Sequence, residues 1–346
     1  MRTRLHIKGK YLWSSGALVL LALVFTFCHT KITSVTQPAT AVVGDVINID
    51  VAVDISTNYF DSDVKNGNVM VAVLMPKGWK GKDNMTATYT SSKGNGKMVF
   101  TPAGAIAANT SGLTWAAALK SKFQTAGNLI DDVEWVIMQT DVPLKWQNGD
   151  KIIGHCNIKL KVAADDNPTL VKMAYLVANS LDGLKDDPSV ADGAPYGPNA
   201  VYYNEFIGDC FSVTGGTGDL VDFCNPQLTI IDPPKSLDND FITLTYNNTV
   251  ITTALNGQPA VYLCATAVTS DGKTISVCEQ TDKTKLSQTS STSGLYQLTF
   301  WPRKFFGVTD AQTIVSMTYY ITNQAGNIKV GYGNTADPFT YKFKCT

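Results

Sequence analysis

The chain has 346 residues, with 28 Lys and Arg against 29 Asp and Glu, and only 16% of its side chains are charged. A hydrophobic fraction of 44% excludes whole-chain disorder, and the balanced charge offers nothing to attract nucleic acid. Thr, Asn, Gly, Val and Tyr are prominent, while the glutamates are confined to Glu134, Glu205 and Glu279. That mixture suits strands joined by turns, not solvent-lined helices.

The first element in the chain is an export signal. Arg2, Arg4, Lys8 and Lys10 precede an apolar run over residues 16–27, long enough for a signal-peptide core and short for a membrane span. Cys28 follows directly and resembles the cysteine of a bacterial lipobox, so it is the expected site of lipidation and of attachment to a lipid membrane. Phe27 stands where that motif usually has a small residue. The other reading is an uncleaved anchor over residues 12–27. Both readings place the rest of the chain outside the cytoplasm, and without its four leading basic residues that remainder is mildly acidic.

Period-2 alternation predicts a strand over 46–55, with Ile47, Ile49, Val51, Val53 and Ile55 on one face and Asn48, Asp50 and Asp54 on the other. Further strands are expected over 69–75, 87–91, 97–101, 133–140, 152–162, 171–177 and 228–231. One helix is expected near 111–123, capped by Ser111 or Thr114. Asp232-Pro233-Pro234-Lys235 reads as a linker. Beyond it, runs over 241–246, 260–268, 274–278, 295–300, 315–321 and 339–343 approach the strand count of an immunoglobulin-like sandwich. The predicted fold is therefore all-β: a signal over 1–28, an N-terminal β-sandwich domain over 29–232 with one short helix, and a C-terminal Ig-like β-sandwich domain over 233–346.

Of seven cysteines, all but Cys28 lie in that exported portion, an even number in an oxidising compartment. Cys210 and Cys224 flank a Gly-rich turn. Cys264 and Cys278 flank Asp271-Gly272, a type I′ turn signal. Each pair could close a hairpin with a disulfide, worth about 3 kcal/mol on the chain-entropy model. Cys156 reads as a buried thiol, and its pairing with Cys345 stays open.

Catalytic sets are hard to assemble from these residues. His6 and His29 lie in or beside the signal, and His155 alternates with inward-facing Ile152, Cys156 and Ile158, so it is expected to face solvent. No GxSxG elbow accompanies it, and a His-rich metal centre is excluded by count. Asp131-Asp132-Val133-Glu134-Trp135 is the densest acid group, but Val133, Trp135 and Ile137 share what looks like a core face, which speaks against a glycosidase carboxylate pair. No catalytic residue is assigned and no cofactor is expected. The one metal option is calcium, held by Asp182, Asp186, Asp187 and Asp192 in a loop broken by Gly and Pro; the alternative is a solvated acidic loop. A sugar-binding surface needs exposed flat aromatics flanked by amides. Trp79, Trp146 and Tyr196 lie outside clear strand cores, as does Tyr332, which is followed closely by Asn334. Trp115, Trp135 and Trp301 read as core. The competing reading folds the loop aromatics back over the sandwich ends.

Trp301-Pro302-Arg303-Lys304-Phe305-Phe306-Gly307-Val308, with Thr313-Ile314 and the stretch from Met317 to Gly326, resembles the last module of an uncharacterised family of Bacteroidetes surface lipoproteins from polysaccharide-utilisation gene clusters. That module is in turn similar to starch-binding Ig-like domains, although Thr322 stands where they usually have Arg. Gln37-Pro38-Ala39, Val43-Gly44-Asp45 and Met75-Pro76-Lys77-Gly78-Trp79 resemble the family's N-terminal domain. The resemblance implies an outer-membrane lipoprotein, on the periplasmic or cell-surface side, that is not an enzyme. It would bind a polysaccharide or oligosaccharide beside an outer-membrane transporter and other lipoproteins. A structural adaptor contacting those lipoproteins is the alternative, and a glycan-acting enzyme using Asp and Glu is the third reading.

Overall fold

The computed structural model describes residues 29–56, 63–123, 130–186, 202–290 and 294–344. Cys28, Asp187, Asp192, Tyr196 and Cys345 lie outside the described residues. The fold is all-β and forms two tandem β-sandwich domains, the second Ig-like. The first unit runs to Leu220, apart from a short segment ahead of Val133, and the second starts at Val221.

In the first unit the strands are β1 (His29–Thr36), β2 (Thr40–Val42), β3 (Val46–Ser56), β4 (Lys65–Gly67), β5 (Val69–Pro76), β6 (Met85–Ser91), β7 (Gly94–Phe100), β8 (Val133–Thr140), β9 (Leu144–Trp146), β10 (Lys151–Lys161), β11 (Thr169–Asn179) and β12 (Tyr203–Thr214). One long sheet carries them in the order β1-β3-β10-β6-β7-β8-β5-β11-β12-β2, while β4 and β9 form a separate ribbon. The sheet curls on itself: the Ile32 amide of β1 donates to the Asn204 side-chain oxygen of β12 at 2.9 Å. Curling gives the sheet an inside, and alternation supplies it. Ile49 pairs with Ile158 and Val51 with Cys156, all buried, while their neighbours face out.

Strands β5, β8 and β11 do not alternate, because they are covered on both faces. Val71, Val73 and Met75 point to the inside of the sheet. Met70, Ala72 and Leu74 form a second cluster with Trp135, Ile137, Ala174 and Leu176, under the helix Trp115–Lys122 and its Trp115, Ala118 and Leu119. Near-continuous apolar runs are what such doubly buried strands require. Thr114 is the helix cap, its hydroxyl accepting from the Ala117 amide at 3.3 Å. Ser111 instead sits in a left-handed turn, at φ 57°.

The second unit contains β13 (Val221–Asp222), β14 (Thr229–Asp232), β15 (Ile242–Asn247), β16 (Val261–Thr269), β17 (Thr274–Val277), β18 (Lys285–Gln288), β19 (Leu295–Phe300), β20 (Ile314–Asn323), β21 (Lys329–Val330) and β22 (Phe339–Lys342). Seven of these run in the order β14-β15-β19-β18-β16-β20-β21, with β17 paired to β16 and β22 to β20. Strand β14 pairs with β15, so the Pro233-Pro234 segment is a turn inside this unit and not the expected boundary. Leu244, Tyr246, Leu263, Met317, Ile321 and Phe339 fill the core. A short helix, Pro302–Phe306, starts on Pro302 and stops at Gly307, whose φ of 70° lies in the left-handed region that favours glycine.

A buried ion pair anchors that helix. Arg303 Nη1 lies 2.9 Å from Asp238 Oδ2 and also donates to the Gln312 carbonyl, while Nη2 donates to the Thr309 carbonyl. The same Asp238 oxygen accepts the Ile314 amide at 2.9 Å. One carboxylate thus ties together the approach to β15, the helix and the start of β20.

Cys264 and Cys278 are bridged across the β16–β17 hairpin, and Cys210 and Cys224 are also disulfide-bonded. The hairpin turn departs from expectation. A type I′ turn needs positive φ at Asp271 and Gly272, but only Gly272 has it, at 79°. A wider loop forms instead, in which the Thr269 amide donates to the Lys273 carbonyl. Cys156 is a buried free thiol whose pKa burial pushes up to about 12.

Two outcomes follow from this packing. Arg303→Met should lower the unfolding free energy of the second unit by about 3–5 kcal/mol in urea titration, because it strands a buried carboxylate; a loss below about 1 kcal/mol would show the pair to be dispensable. Cys156 should resist iodoacetamide at pH 8 in the folded protein and react once urea unfolds it, since the reactive thiolate is almost absent until then. Alkylation of the native protein within minutes would contradict its burial.

Candidate functional site

The structure rearranges the expected aromatic surface. Trp79 is 0% and Trp146 2% exposed, so neither can stack on a ligand. Trp79 ends a tight turn, Lys77–Trp79, and Lys80 in the left-handed region folds the chain back beneath the sheet. There the Trp79 ring meets Phe211 edge-on at 6.3 Å. Trp146 lies inside β9, and the turn signalled by Asn148-Gly149 begins just after it, with the Asp150 amide donating to the Gln147 carbonyl. Leu144 in, Lys145 out and Trp146 in is ordinary strand alternation, a signal present in the sequence and masked by the adjacent turn residues.

Tyr332 is half-buried and committed to its own domain. Its ring packs edge-on against Phe339 at 6.3 Å, and its hydroxyl donates to the buried Asp222 carboxylate. Burial first, then the hydrogen bond to Asp222 and its charge, pushes its pKa up to about 12. Asp222 also accepts the Cys224 and Asn225 amides, so Tyr332 closes a loop and is no open platform. Asn334 is exposed beside it in a left-handed turn, at φ 64°.

The two expected calcium ligands that are described, Asp182 and Asp186, are engaged elsewhere. The Asp182 carboxylate accepts from Asn179 Nδ2 at 2.9 Å. Asp186 receives Lys122 Nζ at 2.7 Å and the Tyr203 hydroxyl at 2.6 Å. Burial works against its charge, but those two hydrogen bonds outweigh it and hold the carboxyl below its usual range. Among the described residues no three His, Cys, Asp or Glu side chains gather as a metal site.

Among the described residues a groove of about 880 Å³ opens on the first unit, along β3, β10, β6 and β7. Cross-strand register builds its floor in rows. Thr36, Asp50, Asn157, Thr88 and Lys97 stand opposite one another across β1, β3, β10, β6 and β7. Asn48, Lys159 and Thr86 form the next row. Adjacent strands lie about 4.8 Å apart, so the five-strand row spans about 19 Å. His155 is exposed, as expected from alternation, and its Nδ1 lies 2.9 Å from Asp50 Oδ2. The outward side chains are thus hydroxyls, amides, the Asp50 carboxylate and two lysines on a stiff sheet, and the groove is also lined by the apolar Ile49, Met85, Ala87, Met98, Met138 and Ile158, with Val99 and Phe100.

The candidate set from the sequence omits every residue of this floor. It also places Trp301 in the core, whereas Trp301 is only partly buried and lies 6.4 Å from the exposed ring of Phe241. Trp115 and Trp135 are core, as expected. Trp146→Ala should therefore lower stability by about 3–5 kcal/mol and cut the melting temperature sharply, the mark of a packing residue. Tyr332→Phe should cost about 1–3 kcal/mol, read in the same melt, by removing a donor from buried Asp222. Unchanged melting in both variants would restore them as candidates for ligand contact.

Comparison with known proteins adds families and distant folds. No curated protein matches the chain. Among solved structures, the C-terminal domain of the Streptococcus pyogenes antigen I/II-family protein AspA aligns over 92% of this chain and 100% of its own, at 10% identity and a TM-score of 0.25. The full-length major pilin SpaD from Corynebacterium diphtheriae aligns over 90% of this chain and 59% of its own, at 8% identity and a TM-score of 0.24. AvmM, which catalyses macrocyclization in alchivemycin A biosynthesis, aligns over 54% of this chain and 90% of its own, at 11% identity and a TM-score of 0.27. Residues 229–330 match a second domain of unknown function, DUF8578. Residues 30–227, more than half of the sequence, match the domain of unknown function DUF4961, and the chain belongs to that family.

Proposed function

We propose that this is a membrane-tethered, extracytoplasmic protein that binds polysaccharide without transforming it, and that the groove over β3, β10, β6 and β7 is its principal contact surface. The observation that carries this reading is the polar floor itself. Five strands present Thr, Asn, Asp and Lys side chains in register, fixed by the ladder beneath them, along an open groove able to take an extended chain. A sugar polymer offers hydroxyls at regular spacing, and a preorganised row of donors and acceptors binds it with little ordering cost. Disulfide-bonded Cys264 and Cys278 support an oxidising compartment. Tethering is assigned to Cys28, which directly follows the apolar run as a lipobox cysteine does. Each contact is weak, and many copies tethered on one surface would raise retention by effective concentration.

Affinity electrophoresis through gels containing single polysaccharides tests this reading. The full chain should be retarded by at least one of them, and Asn157→Ala combined with Lys97→Ala should reduce the retardation while moving stability by no more than about 0.5 kcal/mol, as expected for surface changes. Mobility unchanged by every polysaccharide would sink the reading in favour of an adaptor that contacts other lipoproteins. Release of reducing sugar from the same panel would favour an enzyme.

A further inference from the structure

The second unit carries a surface of different chemistry. Phe241 is 69% exposed, more than any other large apolar side chain among the described residues. It precedes β15 as Trp301 follows β19, and Ile242 pairs with Phe300, so the two rings meet at the next step of the ladder. Their centroids lie 6.4 Å apart with planes at 34°, and the indole Nε1 donates to Asn239 Oδ1 at 3.2 Å. A phenylalanine left in water forgoes the gain of burying its ring. An indole held in place beside it makes the pair a fixed apolar plate.

The plate continues into an uncharged polar floor on the same sheet face. Thr243 and Thr299 stand opposite each other with hydroxyls 2.8 Å apart, and the Gln297 amide donates to the Thr245 hydroxyl at 3.0 Å. Ser287 extends the Gln297 row on the next strand. Asp232 flanks Thr243 on β14, so an acid stands in register at the β14 edge of this floor. A flat apolar plate followed by hydroxyls and amides matches a pyranose ring, which has an apolar C–H face and a polar rim. The acid at the edge opposes a polyanion. An apolar protein segment would leave unused the hydrogen-bonding capacity that these Thr and Gln groups keep beyond their mutual bonds, at a desolvation cost.

We propose that Phe241 and Trp301 form a second carbohydrate site, specific for neutral polysaccharide, with Thr243, Thr299 and Gln297 as its hydrogen-bonding floor. The site extends the polysaccharide reading but rests on residues separate from the groove of the first unit, so either can fail alone.

The test uses the full chain in affinity gels holding either a neutral polymer (mixed-linkage β-glucan, galactomannan or amylopectin) or an anionic one (polygalacturonate or alginate). Phe241→Ala should weaken retention by a neutral polymer by about tenfold or more, as truncation of an anchoring aromatic does, and leave melting unchanged because the ring is exposed. Trp301→Ala should weaken retention likewise, with some loss of melting temperature because the indole is partly buried, and Trp301→Phe should recover part of the lost retention. Retention by neutral polymers that is unaltered in Phe241→Ala and in Trp301→Ala would overturn the site even if the Asn157→Ala and Lys97→Ala variant lost binding. Retention confined to anionic polymers would overturn it as well. Loss in the aromatic variants alone would support this site and leave the groove without a role.

Discussion

Period-2 alternation on a curled sheet is the constraint from which the rest of the first unit follows. A strand that sends Ile47, Ile49 and Val51 inward must send Asn48 and Asp50 outward, because successive Cβ atoms point to opposite faces. The same rule on β10 buries Cys156 and Ile158 while exposing His155, Asn157 and Lys159. Core and groove floor are two readings of one ladder. A one-residue slip in register would exchange them, so the core holds the polar rows in place.

Where the sheet is covered twice, alternation gives way. Strands β5, β8 and β11 carry apolar residues on both faces because the helix Trp115–Lys122 closes over the outer one. The aromatic residues are drawn into the same economy. Trp79 and Trp146 are large enough to fill the volume that curling creates, and burying such side chains outweighs leaving them free for a ligand. In the second unit the balance falls the other way for Phe241 and Trp301, which flank the ends of paired strands, the first exposed and the second partly buried.

The second unit depends on a polar centre as well as an apolar core. Asp238 is buried yet satisfied by Arg303 and the Ile314 amide, and Arg303 spends its remaining donors on the Gln312 and Thr309 carbonyls. Such a network holds a helix of five residues that has little propensity to stand alone. Asp222 plays a similar part for the loop closed by Tyr332. Acidic residues that a sequence offers as metal ligands or catalysts are in this protein spent largely on loop and helix anchoring, as Asp182 and Asp186 also illustrate.

By itself the sequence determined the all-β class, the two-domain plan, most strand positions, the solvent-facing His155 and the buried thiol of Cys156, since all of these follow from local alternation, turn residues and cysteine chemistry. Strands β1 and β12 escaped notice because polar residues interrupt their pattern, and the proline pair was misread as a boundary because a turn within a domain uses the same residues as a linker. Tertiary structure alone decided which aromatics are open. Burial depends on what packs above a residue, and Trp146 beside a turn and Trp301 at a strand end have similar local surroundings in the sequence. Only the pairing of distant strands could bring Asp50, Asn157, Thr88 and Lys97 into one row, or set Phe241 against Trp301.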